Sequence, residues 1–308
     1  MEIEGSKPAF EFADGAAEIA REAGELLRGY YHRGVTAEYK GDVDLVTEAD
    51  RASEKLITSR LLAAFPEHGI YGEEGTRDRM DGEFRWYVDP LDGTTNFAHG
   101  FPAFCVSLGL ERRRPGLAAD AAGELVAAVI YDPLRDEMFT AETGGGAYLT
   151  ASHAPGEALK TRRIRVSGVK TLAESLLATG FPSHKRHRNP NIHFYHQLTL
   201  RSHGLRRAGS AALDLAYTAC GRLDAFWEFN LNPWDTAAGV LLVREAGGTV
   251  THFDGGDFTL DSREVLATNG LVKAEISHIF AEMFAGRGLD PIPTPAEFAA
   301  RRAAREQR

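Results

Sequence analysis

Apolar residues return every three or four positions through Phe12, Ala16, Ile19, Ala20, Ala23, Leu26, Leu27 and Tyr30, and again through Ala52, Leu56, Ile57, Leu61 and Ala64. That period predicts two helices, each with one buried face. Shorter apolar and β-branched runs at 85–88, 104–110, 125–131, 137–141, 163–166 and 176–179 predict strands, with turns at Asp132-Pro133 and Gly144-Gly145-Gly146. Further along come a helix over 211–220 and a strand over 223–229. A helix apolar all round then ends at Gly247-Gly248, followed by strands over 249–253 and 265–268. Strands and helices in alternating blocks, with no internal repeat, predict an α+β sandwich in which helix pairs cover sheets.

Candidate chemistry sits where these elements end. Trp86-Tyr87-Val88 reads as a strand stopping at Asp89, with the chain turning at Pro90 and Gly93. Proline has a fixed φ and no N–H, so Asp89 cannot lie inside an ordinary helix. Asp89, Asp92 and the Leu91 carbonyl are hard oxygen donors of the kind Mg²⁺ or Ca²⁺ takes. Gly93, Thr94, Thr95 and Asn96 follow, small and polar, suited to opening a helix whose first N–H groups attract an anion. A turn with a capping residue also fits this fragment. Asp235 stands in the first turn of the apolar helix after Asn230-Leu231-Asn232-Pro233-Trp234, where it either complements the helix dipole or serves a site.

Together these two segments resemble the two signature motifs of the inositol monophosphatase family, Mg²⁺-dependent, lithium-sensitive phosphomonoesterases. The resemblance runs from about Lys40 to Gly270, and the N-terminal helix fits it too. It implies a five-layer αβαβα sandwich of the inositol monophosphatase and fructose-1,6-bisphosphatase type. The expected parts are an N-terminal α+β half (1–150), a C-terminal α/β half (151–288) and a surface tail (289–308). It also implies that Glu73, Asp89 and the Leu91 carbonyl hold one Mg²⁺, that Asp89, Asp92 and Asp235 hold a second, and that a third, weaker ion sits near Glu73. Asp50, Glu73 and Thr94 would orient the attacking water. Gly93 and Thr94 N–H groups would hold phosphate oxygens, and no phosphoenzyme is expected. Asp50 also belongs to Thr47-x-x-Asp50, a capping box, and the two roles can coexist. On the substrate side the resemblance points to Ser183, Gly209, Ser210, Ala211, Glu228 and Asp235. Glu228, between Trp227 and Phe229, falls where relatives bind inositol hydroxyls.

The expected substrate is a small phosphorylated polyol or sugar, foremost myo-inositol monophosphate, with fructose 1,6-bisphosphate or another sugar or nucleotide monoester of the same family as the alternative. A regulatory binding protein with incidental phosphatase activity is the reading from a different class. The resemblance further implies a homodimer.

Composition agrees with an enzyme of ordinary size: 308 residues, 43% hydrophobic and 26% charged. A net charge of −9 argues against a general nucleic-acid binder. Cys105 and Cys220 have no CxxC or His-Cys metal spacing and read as reduced core residues. No run of ~20 apolar residues could span a bilayer and no basic-then-apolar leader opens the chain, so no membrane is expected and the cytoplasm is the default compartment. The basic run His184-Lys185-Arg186-His187-Arg188 reads as a solvated loop. Arg112-Arg113-Arg114-Pro115-Gly116 reads as a hairpin tip. His193, His196 and His203 lack zinc-site spacing.

Overall fold

The computed structural model describes residues 7–34, 37–39, 45–113, 123–152, 157–181, 189–292, 294–297 and 299. Two helices open the chain, α1 (Ala13–Arg33) and α2 (Glu48–Ala64), with the short strands β1 (Ala37–Tyr39) and β2 (Leu45–Thr47) paired between them. Strands β3 (Gly69–Gly72), β4 (Arg77–Asp78), β5 (Phe84–Asp92), β6 (Cys105–Arg112), β7 (Glu124–Asp132), β8 (Glu137–Glu142), β9 (Gly146–Ala151) and β10 (Lys160–Arg163) form an eight-stranded sheet ordered β10-β9-β8-β7-β6-β5-β3-β4. The small helix α3 (Thr94–Ala98) lies between β5 and β6. A five-stranded sheet, ordered β12-β11-β13-β15-β14, joins β11 (Leu176–Thr179), β12 (Gly204–Arg206), β13 (Ala225–Phe229), β14 (Thr249–Thr251) and β15 (Glu264–Thr268). Helices α4 (Asn191–Thr199), α5 (Ala211–Ala219), α6 (Pro233–Glu245) and α7 (Lys273–Phe284) accompany it.

Alternation along the strands builds the layers. In β7, Ala127, Val129 and Tyr131 join α1 and α2 residues in one core, while Ala128 and Ile130 join α5 and α6 in another, as does Leu125 beyond a slip in the pairing with β6. Trp227, Phe229 and Leu266 turn the far face of the five-stranded sheet toward Phe194 of α4 and Ile276 and Phe280 of α7 in a third. The order is therefore helix pair, sheet, helix pair, sheet, helix pair, the five-layer αβαβα sandwich. The apolar helix α6 lies against the large sheet so closely that a Cβ on Gly109 would stand 2.5 Å from the Ala237 Cβ. Glycine at that point of β6 is what lets the middle layer dock.

Two expected boundaries move. Strand β5 does not stop at Asp89 but continues through Asp92, its pairing with β6 slipping between those two residues. Pro90 has no N–H to give the ladder, and a bulge is where a strand tolerates that. The strand expected over 163–166 is β10, ending at Arg163; it pairs with β9, so the eight-stranded sheet extends past residue 150. Its four residues are all exposed and mostly basic, a composition that keeps a sheet edge from recruiting further strands. Cys105 is buried and Cys220 half-buried, both free thiols. No helix among the described residues is long and apolar enough to cross a membrane.

Candidate active site

The capping box at the start of α2 forms as read: the Asp50 carboxylate accepts from Thr47 N at 2.8 Å, and Thr47 Oγ1 accepts from Ala49 N at 3.1 Å. Asp50 does more than cap. Its second oxygen accepts the Thr94 hydroxyl at 2.9 Å, while Oδ2 also takes the Thr47 hydroxyl at 2.6 Å. The Thr94 hydroxyl lies equally within reach of the Leu91 carbonyl, at 3.1 Å. Gly93, at φ +97°, makes the turn from β5 into α3, and a Cβ there would lie 2.8 Å from the Ala103 carbonyl oxygen. Only glycine satisfies both demands.

Glu73 leaves the end of β3 beside β5, with its N–H on the Val88 carbonyl at 3.0 Å. Its carboxyl is hydrogen-bonded to that of Asp89. The bulge after Asp89 turns Asp92 toward the middle layer, where Ser210 Oγ donates to its carboxylate at 2.6 Å and Ala212 N at 2.7 Å. Ser210 also caps α5, accepting from Leu213 N. The N-terminus of α5 thus receives an anion from the other sheet, as helix polarity favours. Asn96 fastens the same junction by donating to the carbonyls of Ala103 (2.7 Å) and Ala208 (2.8 Å). At the start of α6, Asp235 closes a second capping box, accepting from Asn232 N at 2.7 Å.

These acids perturb one another. Asp89, 2% exposed, is held well above the usual carboxylate range, first by burial and then by the charges of Glu73, Asp92 and Asp235. Burial also raises Asp92, against the pull of Ser210, Ala212 and Ala211. Asp235 is pushed up to about 7, chiefly by burial, with the Asn232 hydrogen bonds opposing and the Asp92 charge adding. Crowded carboxylates that share protons are the electrostatic signature of a place where a cation relieves the repulsion. Among the described residues no three His, Cys, Asp or Glu side chains close into a ready cage.

Beyond this cluster lie two more buried acids. Glu228 on β13 packs its carboxylate against Gly180, where a Cβ would fall 2.1 Å from Oε2. Burial, then the charges of Asp214, Asp235 and Asp92, raise it well above the usual range, with Arg207 opposing. Asp214 of α5 is raised by burial and by Asp92. Sequence reading placed Asp214 only at the end of the segment 209–214 that resembles the family's substrate-side loop, without a role, and missed Glu54 of α2; both acids lie on faces that prove to be buried. The only available signal was an acid in phase with apolar neighbours.

The structure therefore brings Asp50, Glu73, Asp89, Leu91, Asp92, Gly93, Thr94, Ser210, Ala211 and Asp235 into one connected neighbourhood. Gly209, at φ +87° beside Asn96, leads into it, and Glu228 interacts electrostatically with Asp92 and Asp235. Ser183 and the basic run 184–188 lie outside the described residues, as do 114–122 in the hairpin connection.

Comparison with known proteins agrees with this arrangement. Residues 10–283 match the inositol monophosphatase family. An inositol-1-monophosphatase of Rhizobium meliloti is 42% identical over 257 residues, covering 82% of this chain and 86% of its own. The Nus factor SuhB of Pseudomonas aeruginosa is 44% identical over 262 residues, 82% of this chain and 90% of its own. The solved inositol monophosphatase of Anabaena (Nostoc) superposes with a TM-score of 0.74 at 39% identity, covering 91% of this chain and 97% of its own. With family match, relatives and fold in agreement, this chain belongs to the inositol monophosphatase family and is a phosphoric monoester hydrolase.

Proposed function

We propose that this enzyme hydrolyses a small phosphate monoester with Mg²⁺, foremost myo-inositol monophosphate to inositol and phosphate. The observation that carries the reading is the convergence of Glu73, Asp89, Asp92 and Asp235 from the ends of β3, β5 and α6, each oxygen-rich and mutually repelling. Glu73, Asp89 and the Leu91 carbonyl would hold one ion; Asp89, Asp92 and Asp235 would hold a second; a third, weaker ion would rest near Glu73. When bound, Mg²⁺ supplies acidity to a water and charge neutralisation to the departing alkoxide. Lithium sensitivity belongs to the same proposal, since the leaving-side acids are present.

The residues supply the rest. Because the Thr94 hydroxyl gives its own proton to Asp50 or to the Leu91 carbonyl, its lone pairs are turned outward to accept one from a water. Thr94 and Glu73 thereby aim that water at phosphorus, and as the Thr94 oxygen accepts a proton from it the Thr94 hydroxyl proton passes to the Asp50 carboxylate. The N–H groups of Gly93 and Thr94 hold phosphate oxygens at the opening of α3. Nothing in this arrangement requires a phosphoenzyme. Gly209, Ser210 and Ala211 frame the polyol, and Glu228 and Asp235 accept its hydroxyls; the family resemblance adds Ser183 to this set.

A phosphate-release screen with Mg²⁺ over inositol monophosphates, fructose 1,6-bisphosphate, histidinol phosphate and 3′-phosphoadenosine 5′-phosphate tests the reading. Fastest turnover of an inositol monophosphate is expected, and preference for the bisphosphate would transfer the assignment to the sugar branch. The name of the Pseudomonas aeruginosa relative supports a second reading, a regulatory binding role in which hydrolysis is incidental. Rescue of a deletion phenotype by the Asp89→Asn variant would favour it. A homodimer and residence in the cytoplasm complete the proposal.

A further inference from the structure

Asp50, Ser53 and Glu54 lie at spacings of three and four on α2 and so share one face of it. All three are buried. Each reaches a different piece of the cluster: Asp50 takes the Thr94 hydroxyl, Ser53 Oγ donates to the Pro90 carbonyl at 2.9 Å, and Glu54 addresses the turn between β3 and β4. The Glu54 carboxylate accepts from Glu74 N at 2.7 Å, from Thr76 N at 3.0 Å and from Thr76 Oγ1 at 2.6 Å. It presses on Gly72, where a Cβ would meet Oε2 at 2.4 Å. The backbone just after Glu73 is thus held by hydrogen bonds to one carboxylate, itself only 4% exposed, against which Gly72 packs on the other side.

We propose that Glu54 is a positioning residue for the cation end of the site, fixing the Glu73 turn against α2 as Asp50 and Ser53 fix the β5 end. The assignment rests on the hydrolase reading above. Glu54 touches neither substrate nor cation and acts through Glu73. A carboxylate suits the place because all three partners are donors, whereas an amide would turn its own NH₂ toward at least one of them. Removing it leaves two N–H groups and a hydroxyl without their acceptor beside a ligand that must hold still. Loss of such an outer partner costs about ten- to a hundredfold in metal affinity or activity.

The test is Mg²⁺ titration calorimetry on the substrate-free full chain, with melting and phosphate release measured alongside. Glu54→Ala should weaken Mg²⁺ binding by about ten- to a hundredfold, and Glu54→Gln, which keeps one acceptor, should fall between it and the wild type. Ile276→Val in the far core is the control: it should lower melting and leave Mg²⁺ affinity alone. Glu54→Ala binding Mg²⁺ as tightly as an active wild type overturns the assignment alone, as does Ile276→Val losing as much affinity as Glu54→Ala. A wild type that neither binds Mg²⁺ nor releases phosphate overturns the hydrolase reading, and the assignment with it.

Discussion

The acids around Thr94, of which Asp92 and Asp235 are half-buried, and the fully buried pair around Glu228 differ in how they are held. Asp50, Glu54, Asp92 and Asp235 each accept hydrogen bonds from protein donors, and each is anchored to a helix start or a turn. Glu228 and Asp214 show no comparable anchoring among the described residues; they are buried and raised toward the neutral form, with Arg207 opposing. The first set is preorganised by the chain itself, so its geometry is fixed before anything binds. In the function proposed above, the second set is the one that accepts the hydroxyls of a polyol. On the proposed function, chemistry belongs to the first set and choice of substrate to the second.

The sharpest way to break this contrast is Asp89→Asn. Phosphate release should fall by more than about a hundredfold, while melting of the metal-free protein holds or rises, since one member of a repelling cluster is gone. A drop in both would make Asp89 a structural residue. Next is Asp50→Asn, which separates cap from catalysis. Turnover should fall by about 10²- to 10⁴-fold if the Thr94 water contact depends on it, against a stability cost of ~0.5–2 kcal/mol at most. Near-normal turnover with lowered melting would leave only the capping role.

Glu228→Gln probes the other side and should have a smaller effect. Charged hydrogen bonds to ring hydroxyls contribute ~1.5–3 kcal/mol, so inositol phosphate turnover should fall about ten- to a hundredfold while a small aryl phosphate is hydrolysed almost as before. Equal loss on both substrates would move Glu228 into the cation cluster. The smallest effect is on stability. Asp235 is raised to about 7 from the ordinary 3.8, so the folded state binds its proton more tightly than the unfolded chain. That contribution is fully present below about pH 4 and is lost as pH rises through about 7. Melting of the metal-free wild type, compared with Asp235→Asn, should therefore worsen progressively across that window and recover when Mg²⁺ is added. A melting difference that is flat with pH would show that Asp235 is not held protonated.

Much of the preorganised side was legible in the sequence because it is local. Thr47-x-x-Asp50, Asp89-Pro90-Leu91-Asp92-Gly93-Thr94 and Asn232-Pro233-Trp234-Asp235 each carry their cap, turn or acids within a few residues. What was not legible depends on partners far along the chain. Glu54 looks like any charge on a helix until β3 and β4 fold over it, and Asp214 looks like a first-turn acid until Asp92 arrives from the other sheet. Strand β5 continued past Pro90 because pairing with β6 outweighed the proline break. Helix α4 escapes the apolar pattern because the polar Asn191 and Gln197 share its buried face with Phe194 and Leu198, which seat it in the outer core.

Mg²⁺ titration calorimetry of Asp89→Asn and Glu228→Gln, both without substrate, compares the two sides most directly. The account predicts that Asp89→Asn loses Mg²⁺ binding while Glu228→Gln binds as the wild type does. Comparable loss in the two variants would mean that the acids form one undivided cation site, and the division between a preorganised catalytic side and a ligand-completed selective side would fail.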